Sequence, residues 1–214
     1  MIPEARIHYA ITNSGGASPN VVQSEAEVLY LIRSPKNSEV RELHERVSDI
    51  AKGAALMTGT SYDRVFIDGT AELLPNYTLE KLMHGCFEEV GVPKCTAEEL
   101  EYAAALKATY PPERDVPGIG AKFDAGIAKQ VKALSENMTK PVYDFLMPQY
   151  SGEGFRPGST DVGDVSWQTP TAQIEVAAWP AGVPGHSWQV VACGKSSMAH
   201  KAMLCAGKVI ASAA

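Results

Sequence analysis

The sequence is short of three things: paired cysteines, an excess of basic residues, and long apolar runs. Its four cysteines, Cys86, Cys95, Cys193 and Cys205, form no CxxC pair. Three of them fall inside or beside apolar helical patterns, where free Cys behaves as a small hydrophobe, so buried reduced thiols are expected rather than disulfides. Lys and Arg number 19 against 25 Asp and Glu, a formal net charge of -6. That balance argues against a nucleic acid or an anionic membrane as partner, since both require clustered cations. No stretch reaches the roughly 18 apolar residues of a membrane span, and the opening MIPEARIHYA lacks a basic n-region and an apolar h-region, so the chain reads as cytoplasmic. Catalytic signatures are missing too: there is no HxD, no Glu-Glu pair in a suitable loop, no Gly-x-Ser-x-Gly elbow and no P-loop. No catalytic residue is assigned in this chain.

What is present is an ordinary globular composition, 214 residues with 45% hydrophobic and 21% charged, enough for one sizeable core or two small ones. Residues 6–12 alternate, with Ile7, Tyr9 and Ile11 on one face and Arg6, His8 and Thr12 on the other, the period of a half-buried strand. The turn-rich NSGGASPN follows, and then a second, well-buried strand over Glu27–Arg33 that Ser34-Pro35 closes. A helix capped by Asn37 or Ser38 carries Val40, Leu43, Val47, Ile50, Ala51 and Ala54 at helical spacing, and Tyr62–Asp68 reads as a third strand. The expected order is β-β-α-β, a two-layer α/β sandwich without an opening β-α. Beyond Pro75 helices dominate. One has the stripe Leu79, Leu82, Met83, Cys86, Phe87 and Val90, ended by Gly91; a second opens on the capping box Thr96-Ala-Glu-Glu; a third carries Phe123, Ile127, Val131 and Leu134. Strands are expected near Gln173–Ala178 and Trp188–Ala192, with a closing helix over Ser197–Ala211.

Five places offer polar chemistry. His186, in GVPGHSWQ, sits in a small loop, and a loop histidine is either a metal ligand or a surface or capping residue. A catalytic metal needs about three protein ligands and an open position, and none accompanies His186 at a standard spacing. Gly158, Ser159 and Thr160 offer backbone N–H groups and hydroxyls to an anion or carbonyl, while Asp161 orients a ligand or caps the next turn. Asn20 presents an amide that donates and accepts, or serves only the turn after Pro19. Arg33 at a strand end either grips a carboxylate or is an edge-strand charge, and His8 has the same ambiguity.

Two longer stretches that contain these residues together resemble the zinc aminoacylase/carboxypeptidase family of peptidases, and most closely its aminobenzoyl-glutamate hydrolase branch. RIHYAITNSGGASPNVVQSEAEVLYLIRSP is similar to the strand-loop-strand of that family's lid, or dimerization, domain. GSTDVGDVSWQTPTAQIEVAAWPAGVPGHSWQVVACGKSSMAHKAMLCAGKVIA is similar to its C-terminal catalytic segment. The resemblance implies a C-terminal fragment: an incomplete two-layer α/β lid over residues 1–75, its opening β-α missing, followed over 76–214 by the C-terminal part of an α/β zinc-peptidase catalytic domain. It implies that Met1 corresponds to an internal methionine of a longer protein.

The same resemblance makes His186 a ligand of one of a pair of divalent metals, zinc or manganese, whose other ligands and general-base glutamate lie outside this chain. Asn20 matches a lid asparagine that reaches the substrate, and Gly158, Ser159 and Thr160 match the glycine-rich substrate floor. Gln23 stands where many relatives have proline, which implies a looser loop after Asn20. Gly69-Thr-Ala-Glu72 has no arginine for a glutamate-type carboxylate. The implied activity is hydrolysis of an amide in an N-acyl amino acid, aminobenzoyl-glutamate-like, or a small peptide. The implied partners are that small substrate and a second, identical or related, subunit paired through the lid. On this reading the chain alone is inactive. The competing reading is a non-catalytic α/β interaction protein in which the lid unit serves association and His186 is structural.

Overall fold

The computed structural model describes residues 1–111, 124–150 and 158–214. Two compact units divide them, one formed by Met1–Leu73 with 158–167 and the other by 74–111, 124–150 and 168–214. Phe123 and most of the Pro/Gly-rich loop before it lie outside the described residues.

In the first unit β1 (Arg6–Asn13) and β2 (Glu27–Arg33) form an antiparallel ladder in which Arg6 faces Arg33, Tyr9 faces Tyr30 and Ile11 faces Val28, with an irregularity between Ile11 and Asn13. Opposed residues share a face, so Ile7, Tyr9, Ile11, Val28, Tyr30 and Ile32 make one apolar surface. The strands are where the alternation places them, yet β1 is exposed along its whole length and β2 is half-buried only at its last two residues. Tyr9 is 71% exposed. Two strands and a helix lying against β2 cannot cover both faces of even a small sheet.

The third strand is not formed. Residues 60–76 contain no helix or ladder, and Val65 and Ile67 are 78% and 73% exposed. β-Branched and aromatic residues favour strands by packing on neighbours, and Tyr62–Asp68 has no strand beside it among the described residues. Helix α1 (Asn37–Thr58) has Lys36 at its N-cap instead of Asn37 or Ser38, and Lys36 makes no side-chain capping bond. A carboxylate distant in sequence does the work, since Asn37 N–H donates to Glu72 Oε2 at 3.0 Å. The helix buries Ser48 and Ala55, with Val40, Leu43, Val47 and Ala51 half-buried; Ile50 and Ala54, expected on the same stripe, are exposed.

The second unit has two apolar clusters. Helix α2 (Tyr77–Val90) is capped by Asn76 and ended by Gly91, and its Met83, Cys86 and Phe87 meet Cys205 and Val209 of α7 (Ser197–Ala213). Ile174 and Val176 pack on this cluster from a segment that joins no ladder among the described residues, so the strand expected near Gln173–Ala178 is not seen as a sheet element. The second cluster joins Ala103 and Leu106 of α3 (Ala97–Lys107) to Val142, Cys193 and Met198. Helix α4 (Ala125–Glu136) is capped by Asp124 and buries Val131. The apolar run Trp188–Ala192 is not a strand but lies in a short helix. All four cysteines are free, and burial raises the thiol pKa of Cys95, Cys193 and Cys205.

One buried charge fastens α3 to α7. Thr96 and Glu99 form the expected reciprocal capping box, and Glu99 is only 7% exposed. Lys201 Nζ donates to Glu99 Oε2 at 2.8 Å, Ser197 Oγ donates to Oε1 at 2.6 Å, and Thr96 N–H donates to Oε2 at 2.6 Å. These donors, Lys201 foremost, lower the carboxyl from 4.5 to about 2 against the opposing effect of burial. A depressed carboxylate contributes stability that is complete above its unfolded pKa and lost as pH falls through its folded one. The network is therefore expected to be intact above pH 4.5 and to weaken between there and about 2. Replacing Glu99 by Gln should cost about 1–3 kcal/mol at neutral pH and flatten the acid side of the stability curve. Urea unfolding from pH 7 to pH 3 measures both effects.

Candidate functional site

The NSGGASPN loop is held by its own side chains. Gly15 N–H donates to Asn13 Oδ1 at 2.8 Å, Ser14 Oγ donates to the Gly16 carbonyl at 3.2 Å, and Val21 N–H closes a turn on the Ser18 carbonyl at 3.3 Å. Gly15 has φ +80°, and a Cβ there would lie 2.2 Å from the Glu25 carbonyl oxygen, so the position admits only glycine. Asn20 is exposed at the end of this loop, its Oδ1 accepting from Ser18 Oγ at 2.6 Å. With its oxygen so engaged, the amide N–H groups are what Asn20 offers a carbonyl or carboxylate. Gln23 does not loosen the loop. Its side chain lies over Gly15 and Gly16, and its Nε2 donates to the Ser18 carbonyl at 3.4 Å, a brace that a proline lacks.

Gly158, Ser159 and Thr160 lead into the single turn α5 (Val162–Ser166). Asp161 occupies the N-cap without a side-chain bond, and Thr160 Oγ1 accepts from Val162 N–H at 3.3 Å in its place. The segment is fastened to the rest of the first unit at several points. Arg33 Nη2 donates to Ser159 Oγ at 2.9 Å, Ala71 N–H donates to Asp164 Oδ1 at 3.1 Å, and Trp167 Nε1 donates to the Glu72 carbonyl at 2.9 Å. Gly163 is buried with its backbone directly on Ala71, where a Cβ would lie 2.0 Å from the carbonyl oxygen. Arg33 is thereby placed at a candidate site residue, a pairing across 126 positions that no local pattern announces. His8 has no comparable link to the candidate residues, and its partner across the ladder is Leu31.

In the second unit His186 is exposed and has φ 55°, the one non-glycine residue with positive φ among those described. Histidine enters the left-handed region more readily than most residues but still at a cost. The loop around it is anchored on both sides. Ala181 N–H donates to the Pro141 carbonyl at 2.8 Å and Tyr110 OH donates to the Ala181 carbonyl at 2.9 Å. On the far side Ser187 caps α6 (Trp188–Cys193), and buried Gln189 donates to Thr109 Oγ1 at 3.1 Å. The Ser187 cap selects the helix here, as its Oγ accepts from Val190 N–H at 3.4 Å. His186 is thus a protruding side chain on a fixed base.

Among the described residues no group of three or more His, Cys, Asp or Glu is placed to hold a metal ion. His186 can supply one imidazole ligand and no more, so these residues do not by themselves fit a catalytic metal centre.

No known protein-family model matches the chain. Individual relatives do. Over 214 residues it is 42% identical to a subunit of the p-aminobenzoyl-glutamate hydrolase of Escherichia coli (strain K12), covering 99% of this chain and 44% of that protein. It is 36% identical over 83 residues to Xaa-Arg dipeptidase of Mus musculus and 35% identical over 85 residues to that of Homo sapiens, covering 37% and 38% of this chain and 18% and 19% of those proteins. These matches make the chain similar to the aminoacylase/carboxypeptidase (amidohydrolase) family of peptidases. It spans less than half the length of the curated relatives it matches.

Two substitutions probe the peptidase-family segments directly. Gly163→Ala forces backbone against backbone and should destabilise the first unit by about 1–3 kcal/mol, seen as an earlier urea transition. His186→Gly relieves the left-handed strain and should raise stability by about 0.5–1 kcal/mol, whereas His186→Ala should not. Thermal unfolding of the two variants separates them.

Proposed function

We propose that the chain is part of a metal-dependent amidohydrolase that cleaves the amide bond of an N-acyl amino acid, aminobenzoyl-glutamate-like, or of a small peptide. The observation that carries this reading is identity of 42% running through 99% of the chain, so that it takes in the Asn20 loop, the Gly158–Thr160 segment and the His186 loop alike. The Xaa-Arg dipeptidases, whose name specifies amide cleavage, support the same class. In this reading residues 1–75 are lid and 76–214 belong to the catalytic domain, and the protein acts in the cytoplasm as a dimer of identical or related subunits paired through the lid.

The roles follow from the chemistry each group has left to offer. His186 binds a divalent ion, zinc or manganese, in company with ligands from polypeptide outside the described residues. When bound, such an ion supplies an activated water and polarises the scissile carbonyl. Asn20 donates its amide N–H groups to the substrate acyl or carboxylate oxygen, and the backbone and hydroxyls of Gly158, Ser159 and Thr160 form the floor beneath it. The exposed apolar surface of β1 and β2, together with Val65 and Ile67, supports the presence of further polypeptide that completes the lid.

The test is the genomic reading frame upstream of Met1. It is expected to continue in frame through HxD and Glu-Glu motifs, and the longer product should hydrolyse p-aminobenzoyl-glutamate or a related N-acyl amino acid with added zinc or manganese. His186→Ala should lower kcat/KM at least ~100-fold. The 214-residue chain alone should show no metal-stimulated hydrolysis. Full activity of that chain, or an active longer product indifferent to His186→Ala, would overturn the assignment.

A further inference from the structure

We infer that Arg33 is a positioning residue for the Gly158–Thr160 segment, which it ties to the β1–β2 sheet through Ser159. The geometry is a closed circuit of contacts. At one end of the segment Arg33, the last residue of β2, donates to Ser159 Oγ at 2.9 Å. At the other end Asp164 accepts from Ala71 N–H at 3.1 Å and Trp167 donates to the Glu72 carbonyl at 2.9 Å. Glu72 returns to the residues just after β2, accepting from Asn37 N–H at 3.0 Å and lying 3.9 Å from Lys36 Nζ. Gly163 removes any slack, because its backbone is in contact with Ala71. Residues 158–167 are therefore held at one end to the sheet and at the other to Ala71 and Glu72, which Asn37 and Lys36 tie back to the chain just after β2.

The Arg33 bond also fixes what Ser159 can do. A guanidinium only donates, so Ser159 Oγ is the acceptor and its own proton is directed elsewhere. With one lone pair occupied, the hydroxyl presents an O–H donor suited to a carbonyl or carboxylate oxygen. On the amidohydrolase reading, on which this part rests, that acceptor is an oxygen of the N-acyl amino acid. Arg33 acts on it through Ser159, and displacement of the sheet is transmitted to the floor.

The test uses the 214-residue chain with Arg33→Gln, Ser159→Ala, the two together, and Arg33→Lys. Arg33 has a further interaction of its own, so Ser159→Ala, which removes only this link, is the variant that keeps the test meaningful should Arg33→Gln misfold. Amide hydrogen exchange of residues 158–167 should speed up about tenfold in either single variant, no further in the double variant, and largely recover in Arg33→Lys, with exchange in α2, α3 and α7 unchanged. Unchanged exchange of the segment in Ser159→Ala, or additive effects in the double variant, overturns the proposal. In the longer, active product each single variant should raise KM about tenfold with kcat nearly constant; an unaltered KM at wild-type turnover overturns the substrate role. Exchange needs no substrate, so failure of the amidohydrolase reading would show as an inactive wild type while the exchange result still decides the role of Arg33.

Discussion

A two-stranded sheet with one helix beside it cannot bury its own faces, and the first unit is arranged around that constraint. Its cohesion comes largely from polar links between side chains and backbone. Glu72 serves Asn37 N–H and Lys36 through its carboxylate and Trp167 through its carbonyl, while Arg33 and Asp164 hold the segment 158–167. Bonds of this kind are directional and contribute about 1–3 kcal/mol each at most. They fix a geometry without requiring a large core. The second unit works differently: Met83, Phe87 and Val209 in one cluster, and Ala103, Cys193 and Met198 in the other, exclude water, and the Glu99–Lys201 pair sets how α3 meets α7.

The candidate residues divide between these two kinds of scaffold. Asn20 and Gly158–Thr160 stand on the polar framework, where Asn20 Oδ1, Ser159 Oγ and Thr160 Oγ1 each accept one hydrogen bond from a neighbour, which orients what they offer a ligand. His186 stands on the apolar one, on a loop fixed through Ala181 and Gln189. Preorganisation of this kind spends part of a polar group's hydrogen-bonding capacity on its neighbours and so aims what remains.

Local signals in the sequence were legible where the partner was near. The Thr96 capping box, the stop at Gly91, the strand alternation in residues 6–12 and the closing helix all depend on residues a few positions apart. The failures have the opposite character. Asn37 reads as a cap because nothing local reveals that Glu72 will supply the acceptor. Trp188–Ala192 carries β-branched residues, but the Ser187 cap tips so short a run toward helix. Tyr62–Asp68 has strand composition and, among the described residues, no strand to pair with. Of the candidate site, the residue types and loops were readable, whereas the Arg33–Ser159 contact and the Gln23 brace were not, being products of tertiary folding or of a side chain packing on glycines.

The left-handed backbone at residue 186 has one more consequence. Two unrelated filters act on that position, a conformational one that favours glycine above all and admits asparagine, aspartate or histidine at a cost, and a chemical one that, in the proposed role, asks for an imidazole. A lineage with no use for the imidazole would gain stability by drifting to glycine, so residue 186 works as a gauge: its identity in descendants of this chain would reveal whether the ligand role was kept or abandoned before any activity was measured.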